Sequence, residues 1–323
     1  MDKQEFNIKS KTHTLRGVIE NFATSKNVVI LIHGSGNSDR DASVTYKGKL
    51  ISQNFKLLAK YLTNSGLAVC RYDKRENAEI KQLKEDVKLV ISYLKEKYSF
   101  DNIILYGWSE GVRVVSELVE DKVNVAGLIL QSGIISGWKN YFKYILGDVT
   151  LNKLYELDRK SKGYINLADF DGYKSNNASS SFAIDTILLR KDEEKFFLNP
   201  LITKHDSIDF EQWDRVSREI YEKPTRLSYY CGISNMEDWN GNIDSFKDYS
   251  KPVLLIHGLN DGWVSINESI SLAYAIGQKA TLELFPCLGH SMQKVQRNFD
   301  DVGGEMEVFV IEEVISWISK NFI

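Results

Sequence analysis

The chain lacks the features that mark secreted, membrane-spanning or nucleic-acid-binding proteins. It has three cysteines, Cys70, Cys231 and Cys287. An odd and sparse set gives neither a disulfide framework nor metal-ligand spacing. No run reaches the ~20 apolar residues that cross a bilayer. The stretch MDKQEFNIKSKTHTLRG is polar and has no apolar signal segment, so the acceptor-like Asn177-Ala178-Ser179 carries little weight as a glycosylation site. A surplus of one charge is also missing: 41 basic residues stand against 44 acidic, for a net charge of −3. No broad electropositive face follows, and nucleic acid is not expected as a partner. Together these absences lead us to expect a reduced, cytoplasmic protein with no membrane partner.

What is present is a chain with the apolar content of a globular protein, 43% hydrophobic over 323 residues. Short β-branched runs alternate with amphipathic stretches. Val28 to Ile32 reads as a buried strand ending at His33-Gly34. Phe55, Leu58, Ala59 and Leu62 fall on one helical face. Leu67 to Tyr72 is the next strand, and Val87, Val90, Ile91 and Leu94 form the next helical stripe. Ile103 to Tyr106 is a strand, a helix follows from about Glu110 to Val119, and Val125 to Leu130 is a strand again. Repeated strand–helix–strand units with short connections predict an α/β fold with a mostly parallel sheet.

The pattern changes near Gly137. Residues 137–250 are aromatic, charged and poor in strand signals, with Trp138, Tyr141 and Tyr144 among many rings and a Ser/Asn-rich patch at 175–181. After Pro252 the alternation resumes: strand Val253–Ile256, helix Ile266–Ile276, strand Ala280–Phe285, and a closing helix over Val308–Trp317. The expected organisation is an α/β core from 1–136 and 251–323, with 137–250 inserted as a mainly helical cap.

Three sets of residues carry chemistry. Gly107-Trp108-Ser109-Glu110-Gly111 sits between an apolar strand and a helix. A serine standing proud of so sharp a turn needs neighbours without Cβ atoms, and the new helix start offers free N–H groups to a developing negative charge. Serine is a weak nucleophile at neutral pH and needs a base. Among the five histidines, His290 follows a strand in Leu288-Gly289-His290. His13 and His205 lie in polar surroundings, and His257 reads as structural. Asp261, in Gly258-Leu259-Asn260-Asp261-Gly262, lies twenty-nine residues before His290. That is room for one helix and one strand, which brings both groups to the same sheet edge. An Asn-Asp-Gly turn alone would mean little. The order Ser109, Asp261, His290 is what gives Asp261 its role of orienting a base. The third stretch, His33-Gly34-Ser35-Gly36, is a glycine-rich turn after the first long strand. Its Gly34 and Gly36 free the backbone to aim the Ser35 N–H at a substrate oxygen, paired with the N–H of Glu110. The dinucleotide-binding spacing is not completed here.

These four motifs, HGSG (33–36), GWSEG (107–111), LND (259–261) and GH (289–290), resemble those of the α/β-hydrolase superfamily in identity and order. HGSGNSDRD (33–41) with RYDKR (71–75) further resembles a group of bacterial serine carboxylesterases bearing HGSG-x-x-DRD. Asn37 stands where that group has proline, and Glu76 where it has glycine. The resemblance implies an α/β-hydrolase fold, hydrolysis of small carboxylic esters through an acyl-enzyme, and no cofactor or metal.

The same triad also serves thioesterases and amidases or peptidases, and the fold hosts non-enzymatic ligand receptors. A receptor would ordinarily have lost a triad member, whereas Ser109, Asp261 and His290 are all present. Asp39, Arg40 and Asp41 either line the site or fix their loop by surface ion pairs, and we read them as structural. Asp73, Lys74 and Arg75 read as braces for the HGSG loop. The cap aromatics are expected mostly to pack on one another, with Trp138 a candidate to face an acyl or aryl group. The oligomeric state has no signature in the sequence.

Overall fold

A computed structural model of the chain describes residues 2–10, 13–36, 38–46, 48–76, 78–137 and 241–323. Between these it describes residues 140–141, 144–145 and 148–149, and the strand segments Ile165–Asn166, Leu189–Asp192, Lys195–Leu198, Thr203–Lys204 and Ser207–Ile208. Trp138, His205, Cys231 and the 175–181 patch, with Asn177 in it, lie outside the described residues, as do the helices expected within the insertion.

Eight strands make the central sheet: β1 Lys3–Lys9, β2 Thr14–Glu20, β3 Asn27–Ile32, β4 Ala68–Tyr72, β5 Asn102–Trp108, β6 Gly127–Gln131, β7 Val253–Gly258 and β8 Ala280–Phe285. Their spatial order is β1-β2-β4-β3-β5-β6-β7-β8. From β4 to β8 all neighbours are parallel. β1 and β2 pair antiparallel with each other, and β2 pairs antiparallel with β4. Among the described residues five helices flank the sheet: α1 Asn54–Asn64, α2 Ile80–Lys97, α3 Glu110–Glu120, α4 Ile266–Ile276 and α5 Val308–Phe322. Among the described residues no helix is long and apolar enough to cross a membrane.

The apolar runs become central strands because both of their faces are covered. In β3, Val28, Ile30 and Ile32 face one core cluster, while Val29 and Leu31 face the other. This is the two-residue alternation of a strand expressed on two buried sides. Val87, Val90, Ile91 and Leu94 of α2 join Val112, Val115 and Leu118 of α3 in the first cluster. Phe55, Leu58, Ala59 and Leu62 of α1 join Val310, Ile311, Val314 and Trp317 of α5 in the second. Both helical stripes read from the sequence are therefore core faces. Each of the larger side chains contributes roughly 1.5–3 kcal/mol by burial.

The N-terminal hairpin is the one sheet element that the apolar pattern does not announce. Within β1 only Phe6 is buried. Phe6 lies across Gly17, whose position has no room for a side chain because a Cβ there would sit 2.2 Å from the Phe6 ring. At the other end of the molecule the insertion is stitched at its base. Ser136 and Gly241 form an antiparallel bridge, and the Asn242 N–H donates to the Ile135 carbonyl at 3.0 Å. The buried Glu268 of α4 accepts from the N–H groups of Ile135 (2.8 Å) and Ser136 (2.7 Å) and from the Ser136 hydroxyl. Phe246, shortly after this stitch, is fully buried in the first core cluster.

Candidate active site

The parallel strands place their carboxyl ends on one edge of the sheet, where such folds hold their ligands. β5 ends at Trp108 and α3 begins at Glu110, so Ser109 makes the whole turn alone. Its backbone is forced to φ 55° and ψ −118°. A non-glycine residue in that region carries about 1–3 kcal/mol of strain, held in place by its surroundings. The flanking glycines explain how the turn closes. A Cβ on Gly107 would lie 2.9 Å from the Gly111 carbonyl oxygen, and one on Gly111 would lie 2.4 Å from the Ile32 carbonyl oxygen. The HGSG loop packs directly on the elbow, since a Cβ at Gly34 would stand 3.2 Å from Ser109 Cβ. Gly36 takes φ +84°, which a side chain disfavours.

Asp261 and His290 come together. His290 Nδ1 lies 2.9 Å from Asp261 Oδ2. Asp261 is fully buried and His290 nearly so. With Nδ1 donating to the carboxylate, Nε2 remains an acceptor, the state a general base requires. Burial would raise the Asp261 carboxyl, but the His290 charge and hydrogen bonds from His257 and His290 outweigh it and hold the group well below the usual carboxylate range. Burial would likewise lower the His290 imidazole; the neighbouring Asp261 charge and hydrogen bond reverse this and leave it raised. The other carboxylate oxygen, Oδ1, accepts the N–H groups of Trp263 (2.7 Å) and Val264 (2.8 Å), so the side chain has one orientation.

His290 is also fixed beside the elbow. Its carbonyl accepts from Gln131 Nε2 at 3.1 Å and from Trp108 Nε1 at 3.3 Å. The imidazole lies between two indoles, with ring centroids 5.9 Å from Trp108 and 6.1 Å from Trp263. Among the described residues no hydrogen bond joins Ser109 Oγ to His290. Such contacts are commonly long without substrate and tighten when it binds.

The remaining histidines separate by environment. His257, fully buried at the end of β7, places Nε2 3.1 Å from Asp261 Oδ2 and 3.1 Å from the Val264 carbonyl, with Nδ1 2.7 Å from Ser269 Oγ. Read from sequence as structural, it is structural in a particular way: it shares the carboxylate oxygen that holds His290. His33 Nε2 donates to the Tyr72 carbonyl at 2.7 Å, and burial pushes its pKa down to about 4. His13 meets Asp86 and Arg75, away from the elbow. Arg40 forms a two-pronged pair with Asp73 (3.0 and 2.7 Å), and Arg71 meets Asp41 and, at 2.7 Å, Glu20. The DRD stretch is thus a loop clasp.

One residue of the site has no counterpart in the sequence reading. Asp301, fully buried, accepts the His290 N–H (2.6 Å) and the Gly262 N–H (3.0 Å) on Oδ2, and Gln293 Nε2 (2.6 Å) and the Gly303 N–H (3.1 Å) on Oδ1. A single carboxylate ties the loop bearing Asp261 to the loop bearing His290. The signal was indirect. Gly262 and Gly289 adjoin Asp261 and His290, and a Cβ on either would run into Asp301, at 2.9 Å from its Cβ and 2.6 Å from its Oδ2 respectively. From the inserted segment, the Tyr144 hydroxyl donates to the Asp261 backbone carbonyl.

No protein-family model matches the chain, and no curated relative matches it by sequence. Solved structures match it over nearly their whole lengths. The α/β hydrolase GrgF from Penicillium sp. sh18 is 13% identical, with 99% of each chain covered and a TM-score of 0.56. An esterase of Pyrococcus furiosus is 14% identical, covering 100% of this chain and 92% of its own, with a TM-score of 0.57. A thermostable carboxyl esterase from Bacillus coagulans is 15% identical over 100% of both chains, with a TM-score of 0.56. At this level of identity the likeness concerns the fold: the chain has the α/β-hydrolase fold, a mostly parallel sheet flanked by helices.

Proposed function

We propose that this protein is a serine hydrolase of the carboxylesterase type, cleaving small carboxylic esters through an acyl-enzyme. Ser109 attacks the acyl carbon while His290 Nε2 takes its proton. Asp261 holds the imidazole tautomer and stabilises the imidazolium. The N–H groups of Ser35 and Glu110 donate hydrogen bonds to the carbonyl oxygen as negative charge develops on it. His290 then gives its proton to the leaving alcohol and activates water to release the acid. Residues 1–136 and 251–323 form the catalytic body, and 137–250 cap it and shape the substrate's surroundings.

The observation that carries this reading is the buried His290–Asp261 pair, at 2.9 Å, set against the tryptophan that precedes a strained serine. Strain at one serine on the sheet's carboxyl edge and a polarised imidazole near it have a common explanation in nucleophilic catalysis. The esterases among the structural neighbours point the same way. The HGSG and DRD stretches resemble those of the bacterial carboxylesterase group, which favours the same chemistry. Thioester and amide substrates would use the same groups, so the choice of bond is settled by assay.

The test is direct. The folded protein should take a fluorophosphonate label at Ser109 and hydrolyse p-nitrophenyl esters faster than matched thioesters or aminoacyl amides. Ser109→Ala should lose both label and turnover, with kcat falling by at least about 10³-fold. Unchanged hydrolysis by Ser109→Ala would remove the proposal.

A further inference from the structure

We propose that Lys74 is a positioning residue for the oxyanion-binding amides, and that its ammonium both orients and polarises them. This rests on the functional reading above. Lys74 follows β4, on the strand next to β3 in the sheet. Its side chain is buried, and Nζ makes two close contacts: 2.7 Å to the Gly34 carbonyl oxygen and 2.6 Å to Glu110 Oε2. Gly34 precedes Ser35 and Glu110 follows Ser109. One ammonium therefore reaches the carbonyl of the peptide that carries the Ser35 N–H and the side chain of Glu110, although these stand on separate loops after β3 and β5.

The geometry of the peptide gives this contact its consequence. The Gly34–Ser35 bond is trans, as are all those described, so the Gly34 C=O and the Ser35 N–H point in opposite directions. Fixing the oxygen on Lys74 aims the Ser35 N–H away from Lys74, and among the described residues that N–H has no other partner. C=O and N–H also share one resonant unit. A cation bonded to the oxygen draws electrons from the nitrogen and makes the N–H a stronger donor. At the second residue, Lys74 anchors the Glu110 side chain at the first position of α3, where the N–H has no intrahelical acceptor. The lysine itself is held from behind. Its own N–H donates to the Ser38 carbonyl at 3.1 Å, and the adjoining Asp73 is gripped by Arg40.

A purely structural ion pair would lower stability when broken and leave substrate and transition state equally affected. A positioning role acts where the oxygen bears charge. The experiment measures kcat and KM for p-nitrophenyl acetate and the affinity of a trifluoromethyl ketone, which forms a tetrahedral oxyanion on the serine. It compares the wild type, Lys74→Met and the double variant Lys74→Met/Glu110→Gln. The double variant avoids stranding the Glu110 carboxylate and so protects folding. Removing a whole oxyanion donor costs about 10²–10³-fold; weakening one should cost roughly 10–100-fold in kcat, with KM changed less than about threefold. Ketone affinity should fall by the same factor as kcat/KM in both variants. The inference is overturned if the folded variants keep kcat, lose only KM, or lose kcat with ketone affinity intact. It is equally overturned if the double variant regains the kcat lost by Lys74→Met. A wild type that neither turns over esters nor takes a fluorophosphonate label would refute the functional reading and this inference with it. An active wild type with insensitive Lys74 variants would refute this inference alone.

Discussion

Replacing Asp301 with asparagine isolates the part of the site that joins the loops bearing Asp261 and His290. The carboxylate accepts four hydrogen bonds, two on each oxygen, and no water reaches it. Asparagine keeps one acceptor oxygen and turns the other into an NH2 group. If the amide oxygen serves the His290 and Gly262 N–H groups, the NH2 faces the Gly303 N–H and the Gln293 amide. Gln293 cannot rotate to help without cost, because its Oε1 already accepts the Ser291 N–H at 3.0 Å. At least one buried donor is left unpaired in either orientation, a penalty of about 1–3 kcal/mol. The pairing of His290 with Asp261 survives, since neither atom is altered. The variant should therefore fold with a lower Tm, by a few degrees for a chain of this size.

Its activity should change in a way that separates it from generic destabilisation. Burial disfavours charge on His290, Asp261 supports it most strongly, and the Asp301 carboxylate adds to that support. Removing the Asp301 charge therefore makes the imidazolium less stable. The acid limb of the kcat/KM profile should move to lower pH, while the plateau rate drops because the two loops are less firmly joined. Thermal unfolding and a pH–rate profile on the same preparation test both. A Tm within about a degree of wild type, together with an unmoved acid limb, would show that Asp301 neither clamps the loops nor feels His290.

Gly111→Ala puts a methyl group 2.4 Å from the Ile32 carbonyl oxygen, which is backbone of a central strand and cannot move aside. It should cost at least about 1–3 kcal/mol in denaturant unfolding, and a neutral result would show that the elbow does not pack as described. Wild-type kcat/KM should fall as pH drops through the His290 value, which is raised above 6.5, and a flat profile between pH 5 and 8 would exclude His290 as base. Stability carries opposite signs for the pair. Asp261, whose folded value is depressed, contributes stability above its unfolded value near 3.8 that is lost as pH falls through its folded one. His290, whose value is raised, contributes below 6.5 and loses that contribution as pH rises through its folded value, so pH-dependent melting of Ser109→Ala should show both limbs without interference from turnover.

How legible these features were depended on how many faces of each element the protein buries. β3 to β7 could be read directly because strands covered on both sides are apolar over most of their length, as Val28 to Ile32 show. β1 could not, because one buried ring, Phe6, sits among charged and polar residues on a strand at the sheet edge. Ser109, Asp261 and His290 stood out because the chemistry proposed for them demands rare local contexts in a fixed order, and the structure pairs two of them, Asp261 and His290. Asp301 was not. Asp300 beside it makes a surface pair with Arg297 at 2.8 Å, while Asp301 is wholly buried, and nothing in Asn298-Phe299-Asp300-Asp301 separates the two.

The distribution of buried charge extends this argument. Asp261, Asp301, Lys74 and Glu268 are all largely withdrawn from water, and each joins segments far apart in the chain. Asp301 bonds the loop after β7 to the loop after β8, Lys74 bonds the loop after β3 to the start of α3, and Glu268 bonds α4 to the chain leaving for the insertion. Burying a charge is costly unless several bonds satisfy it, and an apolar contact would join the same segments more cheaply. What an apolar contact lacks is direction. Each of these side chains fixes the orientation of particular backbone N–H or C=O groups, and at the sheet's carboxyl edge the groups so fixed belong to the residues next to, or within, the proposed catalytic set. Local polar cost at this edge is therefore coupled to geometric definition there, while the two apolar clusters on the faces of the sheet supply the stability against which it is set.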